Sequence, residues 1–384
     1  MKKIVKILAI FFTLSIPFFD VPRLPISGLS ITFYISFPFM FFYFLMYKKL
    51  VSKRFSIAVF LFFIFWFLYV LSAFVNFQQD SGKAFNHVVY YLVTFYVYYF
   101  CVHFVIKAIG LECFKRYIIY GLYLVFIIGV TELALFYFKG YSAYASFLNH
   151  GQNVGTSMGL PRMRSTFNEP SHLAIYLLAI FPLVYGNKKA LTIWFFAFIT
   201  TFSSSAFMGV AGALLLLALL KPFVILSYRS IISSTLLLLL SILLFMVLYD
   251  TSIVQKIINV NDFDSVRSSA VSISMNFIDN SILLGNGPAF YYNYFSYGLF
   301  NLYLQLYIEV GLIGLISYFA FYFFHVFRVG FENVILLFSM ISILFLYIAM
   351  DHYYIPGLWL LLSFSLFLLQ GDVNESKTYN NRIE

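Results

Sequence analysis

Nine consecutive residues, Arg164-Ser165-Thr166-Phe167-Asn168-Glu169-Pro170-Ser171-His172, carry a guanidinium, hydroxyls, an amide, a carboxylate and an imidazole. These are the groups that handle an anionic, hydroxyl-bearing substrate. The apolar run Leu173 to Tyr185 follows at once, so the cluster sits where a loop dives into a helix. Glu169 and His172 are three apart and share a face of that helix. A base for a hydroxyl must lie within hydrogen-bond reach of it. Glu169 and His172 are both candidates for that role. A glutamate at a helix start also has a purely structural use, since the helix dipole favours it by roughly 0.3–1 kcal/mol. The neighbouring His and Arg turn the reading towards chemistry.

Arginine offers a planar fork of donors that grips phosphate at two points and stays charged. Arg162 and Arg164 precede the helix, and Arg267 lies in a later polar stretch; three such groups suit a lipid pyrophosphate. Anchoring to lipid head groups is the other explanation. Glu132 and Glu309 lie inside apolar runs, where a charge costs about 2.5–3.5 kcal/mol on insertion scales. Each therefore faces a cavity or a partner: a structural pair with Arg164 or Arg267, or a catalytic role. Asp351-His352 completes the polar set. Asp262-Phe263-Asp264 has the form of a metal-holding D-x-D, but capping of a following helix explains it better. His103 and His325 read as structural.

The elements that position these groups are membrane helices. The 384-residue chain is 62% hydrophobic and 10% charged, against roughly 25% charged in a soluble domain. Continuous rather than alternating apolar runs indicate helices and not a barrel. Hydropathy gives about twelve spans, at 4–19, 28–47, 55–76, 88–108, 116–138, 171–186, 190–205, 206–226, 231–249, 301–325, 332–350 and 354–370. Ser203-Ser204-Ser205 is expected to turn the chain between two of them. Gly209 and Gly212 let helices approach closely.

With the N-terminus in the cytoplasm, most of the 24 Lys and Arg fall on the cytoplasmic side; Arg23, Lys83, Lys139, Arg162, Arg164, Lys256 and Arg267 do not. This is the bias of the positive-inside rule, and it places both termini inside. The net charge of +9 thus reflects membrane orientation and not nucleic acid. Two long loops, about 139–170 and 250–300, then lie outside. In the second, Val266, Ala270, Ile273 and Phe277 form one apolar stripe of a surface helix, and Gly285-Asn286-Gly287-Pro288 turns the chain. The organisation is one membrane domain, 1–370, with a polar, disordered cytoplasmic tail, 371–384. Cys101 and Cys113 imply no disulfide framework.

The stretch Arg164 to His172 resembles the motif before a central helix in the bacterial O-antigen polymerase and O-antigen ligase superfamily. Arg267 followed by Asp279-Asn280-Ser281-Ile282-Leu283-Leu284-Gly285-Asn286-Gly287 is similar to that group's arginine and Leu-Gly-x-Gly pattern. Asn301-Leu302-Tyr303-Leu304, running into Glu309-Val310-Gly311-Leu312-Ile313-Gly314, resembles its Asn-x-Tyr … Glu-x-Gly-x-x-Gly helix start. Phe300 stands where the ligases place a histidine, which favours a polymerase. The resemblance implies a GT-C-type glycosyltransferase in the bacterial cytoplasmic membrane, without cofactor or metal. It would move a growing glycan from undecaprenyl pyrophosphate to a lipid-linked repeat unit. Arg162, Arg164 and Arg267 would take the pyrophosphate charge, and Glu169, or His172 second, would be the base. Asn168, Asn301, Tyr303 and Glu309 would shape the sugar site, supported by Glu132, Asp351 and His352. Membrane lipid and a chain-length regulator protein are the implied partners. A ligase, or a flippase for the same lipid-linked glycan, are the alternatives; long outer loops without evident repeats favour an enzyme.

Overall fold

The computed structural model describes residues 1–19, 30–47, 53–76, 81–147, 156–157, 160–220, 277, 282–294, 299, 301–329, 333–350 and 355–380, with side chains to 368. Arg267, Asp262, Asp264, Asp351, His352, the span 231–249 and the surface helix, apart from Phe277, lie outside the described residues.

The described chain is almost entirely helical. The helices are α1 (Lys2–Ser15), α2 (Ile31–Met46), α3 (Lys53–Val75), α4 (Ser81–Thr94), α5 (Val102–Ile109), α6 (Leu111–Lys139), α7 (Tyr141–Ser146), α8 (Pro170–Val184), α9 (Lys188–Thr200), α10 (Ser204–Leu220), α11 (Leu302–Val329), α12 (Val334–Leu346) and α13 (Pro356–Asn380). A π-helical segment, Phe95–Cys101, joins α4 to α5. Two short antiparallel strands, β1 (Thr156–Ser157) and β2 (Leu160–Pro161), pair Thr156 with Pro161 before α8.

Four helices, Lys53–Val75, Gly82–Ile109, Leu111–Lys139 and Leu302–Val329, are long and apolar enough to cross a membrane. Shorter apolar helices at 31–46, 170–184, 204–220, 334–346 and 356–368 pack among them. Their starts follow side-chain chemistry. Ser30, Asn187 and Asn333 accept backbone N–H bonds from Phe33, Ala190 and Leu336, satisfying donors that a helix start leaves open. α9 ends at Thr200 and α10 begins at Ser204. The turn falls on Thr201–Ser203, with Phe202 at φ 43°. Ser204 and Ser205 are already helical, so only the first of the three expected serines is in the turn.

Lipid tails are as apolar as the helices, so association rests on close packing and small residues. Gly209 and Gly212 behave as expected: a Cβ at Gly209 would stand 2.5 Å from the Ser342 carbonyl oxygen, and one at Gly212 2.8 Å from the Phe345 ring. The interior is aromatic. Phe62 stacks on Phe95 at 3.6 Å, with Trp359 edge-on to both. His103 is buried against Phe55, and His325 lies 3.2 Å from the Tyr99 hydroxyl, so both are structural.

Candidate functional site

The Arg164 loop enters the bundle rather than lying on it. Met163, Arg164, Ser165, Thr166 and Phe167 are all buried. Non-helical backbone at membrane depth must find its partners inside the protein. Here the Met163 N–H donates to the Thr200 carbonyl. The N–H groups of Arg164 and Ser165 both donate to Glu132 Oε2 at 2.8 Å. Ser165, at φ 55°, sends its hydroxyl to the Val125 carbonyl, half-way along α6. Thr166 sends its own to Pro17, beyond α1. Gly129 leaves room for Met163, whose sulfur would sit 2.5 Å from a Cβ there.

Glu132 is the hub of this loop. The Arg164 Nε–H donates to Oε1 at 2.8 Å, both side chains are fully buried, and a second guanidinium nitrogen donates to the Tyr144 carbonyl at 3.0 Å. The guanidinium lies over the Tyr144 ring at 4.5 Å. Arg164 thus presents no surface to a ligand in this structure; it holds Glu132, the structural pairing that the sequence also allowed. Burial pushes the Tyr144 phenol up to about 12, with the Arg164 charge opposing that rise.

Arg162 is more accessible than Arg164. It is half-buried, and its Nε–H donates to the Thr201 carbonyl at 3.1 Å. Glu169 stands at the N-cap position of α8 without a side-chain capping bond and keeps its side chain 34% exposed; its carboxylate accepts from the Ser171 hydroxyl at 3.0 Å. His172 is buried, with Nε2 3.8 Å from Glu169. The shared face expected for this pair is present. Asn168 is half-buried beside them.

A second buried carboxylate organises the other motif. Glu309 lies about two turns, roughly 10 Å, into α11, as Glu132 lies about two turns from the end of α6. Tyr69 donates to its Oε2. The Ala289 N–H, at 2.8 Å, and the Gln305 amide, at 3.2 Å, donate to its Oε1. Ser72 holds its backbone carbonyl. The segment Ile282 to Gly287 runs beside the helix here: Leu312 and Ile313 donate to Ile282 and Leu283, while Asn286 and Gly287 donate to Ile308 and Glu309. This exchange needs glycine. Gly311, at φ 66°, breaks α11, and a Cβ on it would collide with the Leu283 carbonyl. Gly285, at φ 71°, has the same relation to Glu309. The two glycine motifs read from sequence are therefore two halves of one backbone joint.

Two further expected residues are structural here. Asn301 accepts from the Tyr303 and Leu304 N–H groups at 3.0 Å, capping α11. The Tyr303 hydroxyl donates to the Leu344 carbonyl at 2.6 Å. His87, on α4, was not singled out from sequence. Its Nδ1 lies 3.5 Å from Glu309 Oε1. The signal available was the polar stretch Ser81 to His87 interrupting an apolar pattern, with Lys83 and His87 four apart.

Both carboxylate centres occupy one end of the bundle. Arg162 and Met163 bond to the end of α9, where α10 begins. Gly209 of α10 rests on Ser342 and Leu346 of α12. The end of α12 receives the Leu302 N–H on Tyr347 and Met350, and Leu302 opens α11. No family model matches this chain, and neither does any curated protein.

Proposed function

We propose that this chain is a polysaccharide polymerase, a GT-C-type glycosyltransferase working on the outer face of the bacterial cytoplasmic membrane. It transfers a growing glycan from undecaprenyl pyrophosphate to a lipid-linked repeat unit. The acceptor hydroxyl attacks the anomeric carbon and lipid pyrophosphate leaves. Arg162, and Arg267 beyond the described residues, meet the charge that develops on the leaving group. Arg164, locked to Glu132, fixes the loop that presents Arg162 and Glu169.

One observation carries this reading. The two segments that resemble the superfamily, remote in sequence, close on the same end of the bundle, each fastened to a buried carboxylate about two turns deep. Such preorganisation suits a reaction in which two substrates meet at one membrane surface. The test uses purified full-length protein in detergent with lipid-pyrophosphate-linked repeat units, and the products are resolved on a gel. A ladder of added repeats supports the polymerase. A fluorescent analogue of the same lipid crossing between leaflets of reconstituted vesicles, without any ladder, would leave a transporter in its place.

A further inference from the structure

The two buried carboxylates differ in what balances their charge. Glu132 has a permanent cation, Arg164. Glu309, also fully buried, has three neutral donors: the Tyr69 hydroxyl, the Ala289 N–H and the Gln305 amide. Neutral donors orient a carboxylate without cancelling its charge, and a buried charge calls for a counter-charge. Among the described residues the side chain that faces it and gains a positive charge on taking a proton is His87, 3.5 Å away. A carboxylate fixed on three sides and facing an imidazole at ion-pair rather than hydrogen-bond distance stabilises, through its charge, the imidazolium that forms when the ring takes a proton.

The surroundings grade from buried to open. Glu309 is fully buried, while the His87 side chain is 12% exposed. The imidazole stands edge-on to Tyr292 at 5.5 Å and Tyr291 at 6.2 Å. Lys83, one turn earlier on α4 and exposed, holds its ammonium 5.8 Å from the Tyr292 ring. Aromatic faces beside a cation and an imidazole are the lining expected where a sugar with a phosphate-bearing tail enters.

We infer that His87, facing the Glu309 carboxylate, takes the proton from the acceptor sugar's hydroxyl, a role the resemblance gives to Glu169. The inference rests on the polymerase reading above. In the step, the imidazole accepts the hydroxyl proton as the oxygen forms its bond to the donor's anomeric carbon. The bond from that carbon to the pyrophosphate oxygen breaks, and the lipid pyrophosphate leaves with the electron pair. The proton then passes from imidazolium to water.

The experiment is the ladder assay with full-length wild type, His87→Gly, His87→Gln and Glu309→Gln, each checked for monodispersity. The His87 variants are expected to add repeats at least about 100-fold more slowly, within the range for loss of a general base, with KM for the acceptor changed less than kcat. Added imidazole is expected to restore His87→Gly in proportion to its concentration and to leave Glu309→Gln unrescued; a purely structural histidine would not give that pattern. A wild-type ladder with undiminished His87→Gln, or with slow His87→Gly that imidazole does not raise, overturns the role of His87 alone. No ladder from folded wild type overturns the polymerase and this step with it.

Discussion

Removing the Glu132 charge tests the re-entrant loop most severely. In Glu132→Gln one oxygen remains, but an amide N–H₂ now faces groups that are all donors: the Arg164 and Ser165 N–H and the Arg164 guanidinium. Arg164 is left charged, fully buried and without its carboxylate. Breaking a buried ion pair from one side costs about 3–5 kcal/mol. Taking about 2 °C per kcal/mol for a chain of this size, the midpoint of thermal unfolding in detergent micelles should fall by about 6–10 °C. The double variant Glu132→Gln with Arg164→Met removes both charges and should recover part of that loss, since contacting residues couple by about 0.5–3 kcal/mol. A Glu132→Gln midpoint within about 2 °C of wild type would mean that Glu132 is not the counter-ion that holds the loop. So would single losses that simply add in the double variant.

Three other outcomes follow from the geometry. Gly311→Ala forces a side chain onto the Leu283 carbonyl at a positive φ; where a tolerated Gly→Ala change stabilises by roughly 0.4–1 kcal/mol, this one should destabilise by more than that amount, seen as faster proteolysis near residue 285. Tyr144→Phe loses the 2.6 Å bond to the Arg162 carbonyl, costing about 1 kcal/mol at neutral pH. Because the folded phenol is raised to about 12 from an unfolded value near 10, the stability it adds is intact below about pH 10 and is lost as pH climbs towards 12. The gap between wild type and Tyr144→Phe should therefore narrow over that window in unfolding scans, and a constant gap would count against the buried phenol. Arg162→Ala should slow ladder formation by about 10²–10³, as removal of one charge-stabilising donor does, with no comparable loss of thermal stability. Equal loss of both would make Arg162 structural.

Much of the architecture was legible because membrane helices advertise themselves. Apolar runs near 20 residues depend only on local sequence. Polar residues inside apolar runs demand partners, so Glu132 and Glu309 could be marked as buried centres. Which partner each takes depends on tertiary placement. Arg164 served equally as a phosphate ligand or as the counter-ion of Glu132, and only the path of the loop past Val125 and Pro17 separates the two. The polar stretch before His87 is a local signal of a site but not of its chemistry; the meaning of His87 comes from Glu309, far along the chain. The positive φ of Ser165 and Phe202 is imposed by packing and capping around them. The glycines at 285 and 311 were visible as motifs, but that they interlock was not.

The claim that both centres serve one reaction requires them to face the same compartment. Single cysteines at Lys83 and Lys139, which are exposed near the two centres, and at Lys189, at the opposite end of the bundle, answer this directly. They would be placed in a Cys113→Ser background, Cys101 being buried. Sealed vesicles of known orientation are treated with a membrane-impermeant maleimide. Labelling is expected at 83 and 139 from the outer face and at 189 only after the membrane is opened. Labelling of 83 and 139 from opposite faces would separate the two centres and exclude a shared reaction.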